Sequence, residues 1–340
     1  MKHNLFLLSL FAFLCLDTSA AILRVNNNTG STTAYTTAQA AHNAAATGDT
    51  IHIESSPNSY GNLTCTKKLT WIGNGYFTDP TVTGFNPGLQ SQPAPSRLDL
   101  ISANSGSADS YFSGLMGQIN IGTSNITIKR CYVMPSLYFT SGNTVSNTNV
   151  TQCFIWGDIQ LSGSPAVSSN ILIHNNIITG SVLLSPSNLS NISIQNNFIG
   201  SGNIATIPSG IIANNIIHNA SGNVSISSNS GAVINNLFMN QTNTNYVGSN
   251  GNIFVSGSAN STNTVFTNAK SVNYDNWCIL KAGSPAIGGG GGGVDMGPRG
   301  GATPYVLSGV PAVPSVYQLT VTSTPSTTTL PCVISTKSNN

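Results

Sequence analysis

Residues 171–180 read ILIHNNIITG, and a near copy, ISIQNNFIGS, occupies 192–201. Weaker echoes follow as IIANNIIHN from Ile211 and VINNLFMN from Val233. Aligned on the second asparagine of each pair, Asn176, Asn197, Asn215 and Asn236 fall into register. Upstream the same slot holds Cys131 in ITIKRCYV and Cys153 in NVTQCFI, with successive spacings of 18 to 23 residues. Three positions before the slot stands an apolar residue (Ile128, Val150, Ile173, Ile194, Ile212, Val233). Two positions after it stands another (Val133, Ile155, Ile178, Ile199, Ile217, Phe238).

A second ladder runs beside the first in the form Gly-x-Ile/Val-x-apolar: GQINI at Gly117, GDIQL at Gly157, GSVLL at Gly180, GNVSI at Gly222 and GNIFV at Gly251. Alternation over three to five residues, bounded by Gly, Asn and Ser, is the signal of a short strand. Two or three such strands in a period of about 22 residues, with a fixed turn residue, describe a solenoid. The Leu-x-x-Leu-x-Leu frame of leucine-rich repeats is missing, and propeller blades need about twice the period. The expected fold is therefore all-β, a right-handed, single-stranded parallel β-helix whose strands stack at about 4.8 Å per coil.

In that fold the double asparagine is scaffolding. Asn tolerates the left-handed backbone of a tight turn, and an inward Asn can bond its amide to the Asn one coil away. Cys131 and Cys153, stacked in the same slot, lie within disulfide reach, yet parallel Cβ vectors favour two buried thiols. The slot just after each ladder residue is apolar too: Tyr132, Phe154, Ile177, Phe198, Ile216, Leu237. Adjacent strand residues point to opposite faces, so one of the two apolar columns faces outward and needs a cover. The C-terminal tail, another surface protein, or a second copy associating through this stripe would supply it.

The ends differ from the coils. Lys2 and His3 precede an apolar run, Leu5 to Leu16, then the small residues Thr18-Ser19-Ala20-Ala21, which reads as a signal peptide over 1–20. Export to the cell surface or medium is the expectation, with a lipid anchor at Cys15 a lesser alternative. No later stretch is apolar enough for a transmembrane helix. Thr36 or Thr37 N-caps an expected Ala-rich helix through Ala46, ended by Gly48, that covers the first coil. The β-helix is expected over 21–296, with a loop-rich insertion at 74–110, and residues 297–340 read as a tail with a β-hairpin-like arm. The six glycines from Gly288 to Gly293 precede no Gly-Lys-Ser/Thr and read as a flexible connector rather than a phosphate loop.

The DTIHI stretch at Asp49, LTWIGNGYF at Leu69, the Asn-turn coils and the GSPAIG…DMGPRGG close together resemble secreted bacterial parallel β-helix proteins of the pectin-lyase-like superfamily. The resemblance implies this fold over essentially the whole mature chain. For activity it implies a polysaccharide lyase or glycoside hydrolase as one expectation and a non-catalytic surface protein as another. In relatives the closing motif often ends in an acidic residue where this chain has Gly288.

Hydrolysis needs two carboxylates flanking the bond, and a calcium-dependent lyase needs clustered acidic oxygens with a positioned Arg or Lys. Only 6% of the residues are charged, against about 25% in ordinary domains. From Tyr111 to Tyr274 the sole acid is Asp158 and the sole Lys or Arg residues are Lys129, Arg130 and Lys270. A catalytic site would have to draw on Asp99, Asp109 and Arg97 near the insertion. The expectation is instead a non-catalytic structural, adhesive or glycan-binding protein. Its contact residues would be Tyr138, Trp156, Asp158, Gln160 and Asn203, amides and hydroxyls beside an aromatic platform. No cofactor and no metal are expected, and a formal charge of +2 without a basic patch argues against nucleic acid.

Overall fold

The computed structural model describes residues 20–77, 94–140, 142–163, 167–184, 189–204, 209–219, 225–226, 231–239, 250–255, 264–267, 277–321 and 332–337. The signal-peptide reading, apart from Ala20, lies outside these residues. Among them the chain is a parallel β-solenoid. A ten-stranded sheet runs from Ile22–Val25 to Ala232–Ile234, taking one strand from each successive coil. A fourteen-stranded sheet has two wings. One wing carries the short strands that follow the inner Cys or Asn slot of each coil, Phe154–Ile155 through Ile253–Val255. The other carries Ile159–Ser162, Val182–Leu183, Asn203–Ile204 and Ser225–Ile226, and the long strand Tyr132–Thr140 belongs to both.

Register explains the repeat. Ile128, Val150, Ile173, Ile194, Ile212 and Val233 are Cα partners coil to coil. So are Val133, Ile155, Ile178, Ile199, Ile217 and Phe238. Both columns are buried, and each large side chain withdrawn from water contributes about 2 kcal/mol. At the N-terminal end the interior becomes an aromatic pile. His42 stacks on Trp71 at 6.5 Å, and Trp71 on Phe112 at 6.3 Å.

The capping helix is Ala38–Ala44, N-capped by Thr37, whose Oγ1 accepts the Ala40 N–H at 3.2 Å. It stops short of Ala46, where Ala45 turns extended, and Lys67 Nζ, bonded to the carbonyls of His42, Asn43 and Ala45, satisfies the orphan acceptors at its negative dipole end. The loop-rich stretch expected over 74–110 is narrower than that. Arg97–Ala103 is a coil strand pairing with Asn62–Cys65 and Met116–Ile121, and Tyr111–Ser113 belongs to the ten-stranded sheet. The tail does form an antiparallel hairpin, Ser315–Val321 with Cys332–Lys337.

The apolar stripe is not available for self-association. Phe154, Ile177, Ile216 and Leu237 are wholly buried, and Tyr132 and Phe198 nearly so. Their cover is intramolecular: Tyr76 and Phe77 at one end, then Val265, Phe266, Trp277, Ala286, Met296 and Tyr305. This covering segment precedes the hairpin, so the expected tail boundary at 297 falls inside it.

Candidate functional site

The asparagine pair divides its labour. The first member of each pair takes the left-handed turn, with φ of 56° at Asn175, 53° at Asn196, 57° at Asn214 and 52° at Asn235. Arg130 and Gln152 take the same conformation in the two cysteine coils. The second member points inward and is fully buried. Asn176, Asn197 and Asn215 each send their backbone N–H and Nδ2 to the Oδ1 of the next Asn, at 2.9–3.0 Å. Asn236 does the same toward Asn252, 16 residues on, although GNIFV matches the Gly-x-Ile-x-apolar form of the other ladder. At the far end Cys153 N–H donates to Asn176 Oδ1, and Cys131 N–H reaches Cys153 Sγ at 3.4 Å. The two thiols are free. Burial, then the neighbouring Cys131, holds the Cys153 thiol well above its ordinary range. Every polar group of this column serves its neighbours, so the column is architecture.

The turn-forming members do something the sequence did not disclose. Their side chains hold the closing segment as it runs back along the solenoid. Asn214 Oδ1 accepts the Gly291 N–H, and Asn196 Nδ2 donates to Asp295 O. Asn175 Nδ2 donates to the carbonyls of Pro298 and Gly300. Gln152 Nε2 reaches Pro304 O, and Arg130 reaches Val310 O. The six glycines are part of this strap, not a loose connector: Gly290 N–H bonds Val294 O, and a side chain at Gly290 would press on the Val294 carbonyl. Gly309 is required outright, since at φ 58° an added Cβ would run into the Tyr76 ring. Tyr76 and Tyr305 join hydroxyls beneath it at 2.7 Å.

Among the described residues the acids do not converge on one site. Arg97 and Asp99 form a half-exposed ion pair at 3.5 Å on a strand of the larger sheet. Asp109, in the left-handed turn before Tyr111–Ser113, pairs with Lys68 at 3.8 Å. Asp158 Oδ1 accepts the Ser181 N–H at 2.7 Å, as Ser136 Oγ accepts the Asp158 N–H one coil earlier, so this carboxylate caps a rung.

The expected contact face is assembled in part. Asn120, Tyr138 and Gln160 are Cα partners on consecutive coils and share the outer face of the larger sheet, each partly exposed. Asp158 and Asn203 lie in the parallel column two residues earlier on their strands, with Ser181 between them. Trp156, 40% exposed, sits at the bend before Asp158 with its ring 6.4 Å from Phe154.

A second asparagine ladder lies on the outside. Asn125, Asn147, Asn170 and Asn191 are exposed and all left-handed, at φ 62°, 52°, 54° and 53°. Asn147 Nδ2 donates to Asn125 Oδ1 at 2.9 Å, Asn170 to Asn147 at 2.9 Å, and Asn191 to Asn170 at 2.6 Å. Each follows a serine: Ser124, Ser146, Ser169 and Ser190. The repeated Ser-Asn dipeptide is the signal for this ladder, masked at Asn147, Asn170 and Asn191 because it falls inside apolar-alternating strands.

Comparison of the chain with protein-family models, with curated proteins and with solved structures finds no match to any of them.

Proposed function

We propose that the chain is an exported, non-catalytic solenoid of the pectin-lyase-like kind, acting at the cell surface or outside it by binding glycan. The observation that carries this reading is the run of Asn120, Tyr138 and Gln160, in register on three consecutive coils, with Trp156 exposed beside them. Amide and phenol groups donate and accept toward sugar hydroxyls, and an aromatic face packs on the apolar side of a sugar ring. Further support comes from the acids, since Asp158 is tied to a backbone N–H, Asp99 lies on a strand of the larger sheet paired with Arg97, and Asp109 lies in a turn paired with Lys68.

The test is retention of the full chain on a panel of insoluble and immobilised polysaccharides, neutral and acidic. Tyr138→Ala/Gln160→Ala and Trp156→Ala each weaken retention about tenfold if two contacts of ordinary strength are lost. Retention unchanged in both variants overturns the placement of the face. Release of reducing or unsaturated ends from the same panel, with or without calcium, would replace binding by lyase or hydrolase activity.

A further inference from the structure

Four consecutive coils carry one left-handed residue on the ten-stranded sheet side, just before a strand at Asn125 and within one at Asn147, Asn170 and Asn191, and each is an exposed asparagine. In the next coil Ser209 stands beside Asn191, its Oγ taking the Asn191 N–H at 3.1 Å, and the positive φ falls one residue later, on Gly210 at 143°. The left-handed backbone, repeated four times with the same exposed side chain and kept in register from coil to coil, sets these amides in one outward column.

The valences then matter. A carboxamide has two N–H donors and two acceptor lone pairs. The ladder uses one donor and one lone pair of Asn147 and of Asn170, so each of these rungs keeps one of both for a ligand. The backbone turn and the amide chain fix the side chains, so little rotamer freedom is lost on binding. Ser124 and Ser146 join hydroxyls at 3.0 Å alongside, continuing the neutral strip. Donors and acceptors therefore recur about every 4.8 Å over about 14 Å.

We propose that this Ser-Asn ladder is a second glycan contact, distinct from the Tyr138 face, taking a neutral polysaccharide chain laid along the solenoid axis. A hydroxylated polymer both donates and accepts at every sugar and so matches a strip with equal numbers of each. The ladder offers no cation, so an acidic polymer gains nothing there and salt leaves binding unchanged. This inference rests on the glycan-binding reading above.

The experiment uses the full chain with soluble mixed-linkage β-glucan, galactomannan and polygalacturonate, read by calorimetry and by retention. Asn147→Gly/Asn170→Gly keeps the positive φ and deletes both central amides. Expected is about tenfold weaker binding of a neutral polymer, with the melting temperature nearly unchanged and no response to salt. If the variant binds the neutral polymers as the parent does while Tyr138→Ala/Gln160→Ala does not, the ladder proposal falls and the face stands. Tighter binding to polygalacturonate than to the neutral polymers overturns the neutral assignment. A parent chain that binds none of the three overturns both, and loss of self-association in the variant would make the strip a contact between copies instead.

Discussion

Asn197 Oδ1 accepts two hydrogen bonds from Asn176, one from its backbone N–H and one from Nδ2, each at 3.0 Å. Removing the acceptor strands two buried donors at once, and an unsatisfied buried donor costs about 1–3 kcal/mol. Asn197→Ala should therefore destabilise the fold by about 3 kcal/mol, read as a shift in urea midpoint at constant slope. Asn170→Gly in the exposed ladder, where water replaces the lost bond, should cost about 1 kcal/mol or less. Equal losses at the two positions would mean that the inner column is not what carries the winding.

The strap predicts a truncation pattern. Ending the chain after Pro314 removes the hairpin and leaves the stripe sealed, because the covering side chains end with Tyr305 and the last anchoring carbonyl is that of Val310. Ending it after Asn263 uncovers Phe154, Ile177 and Ile216, and a hydrophobic dye such as ANS should brighten. Phe154→Ala, which empties space beside Phe77, Tyr132 and Trp277, should cost about 3–5 kcal/mol. A dye-dark protein after the longer truncation would contradict the cover.

Thiol chemistry separates the cysteines by position. Cys65, Cys131, Cys153 and Cys278 are buried, and burial raises the thiols of Cys65 and Cys153, whereas Cys332 is exposed on the hairpin. Of these five, one should react promptly with an aromatic disulfide reagent in the native protein, and Cys332→Ser should abolish that phase. The remaining four should appear only with unfolding.

Acid should weaken the N-terminal cap. His42 is buried against Trp71 and its Nε2 accepts the Thr66 N–H at 3.0 Å, a bond that only a neutral ring can make. Burial is the main cause that lowers its pKa below the usual 6.5, and burial does the same at His174. Below pH 6.5 the unfolded chain binds more protons than the folded one. This contribution is therefore complete above pH 6.5 and is lost as pH falls from there through the folded value. Thermal midpoints should fall over that window, and less steeply in His42→Gln.

The parts of the molecule written in side-chain periodicity could be read from the chain alone. Asn176, Asn197, Asn215 and Asn236 recur with apolar neighbours at fixed offsets, and that pattern specifies both the solenoid and the inner ladder. Asn252 was lost because its coil is short and its sequence imitates the other ladder. The strap was illegible for a different reason. Asn175, Asn196 and Gln152 grip backbone carbonyls, which every residue possesses, so the gripped segment carries no matching side chains. Arg97–Ala103 was hidden by the proline-rich stretch before it, and Asn147, Asn170 and Asn191 by the strands that contain them.

The strap also sets an order of events. It begins beside the coil of Asn214 and finishes against Arg130, so a stretch made after the coils closes over segments made long before. A chain emerging amino terminus first carries a greasy seam down its flank until the strap has followed. Any pause or premature stop ahead of Trp277 yields a wound but adhesive intermediate, and whatever shields nascent chains must stay with this one until the strap is made.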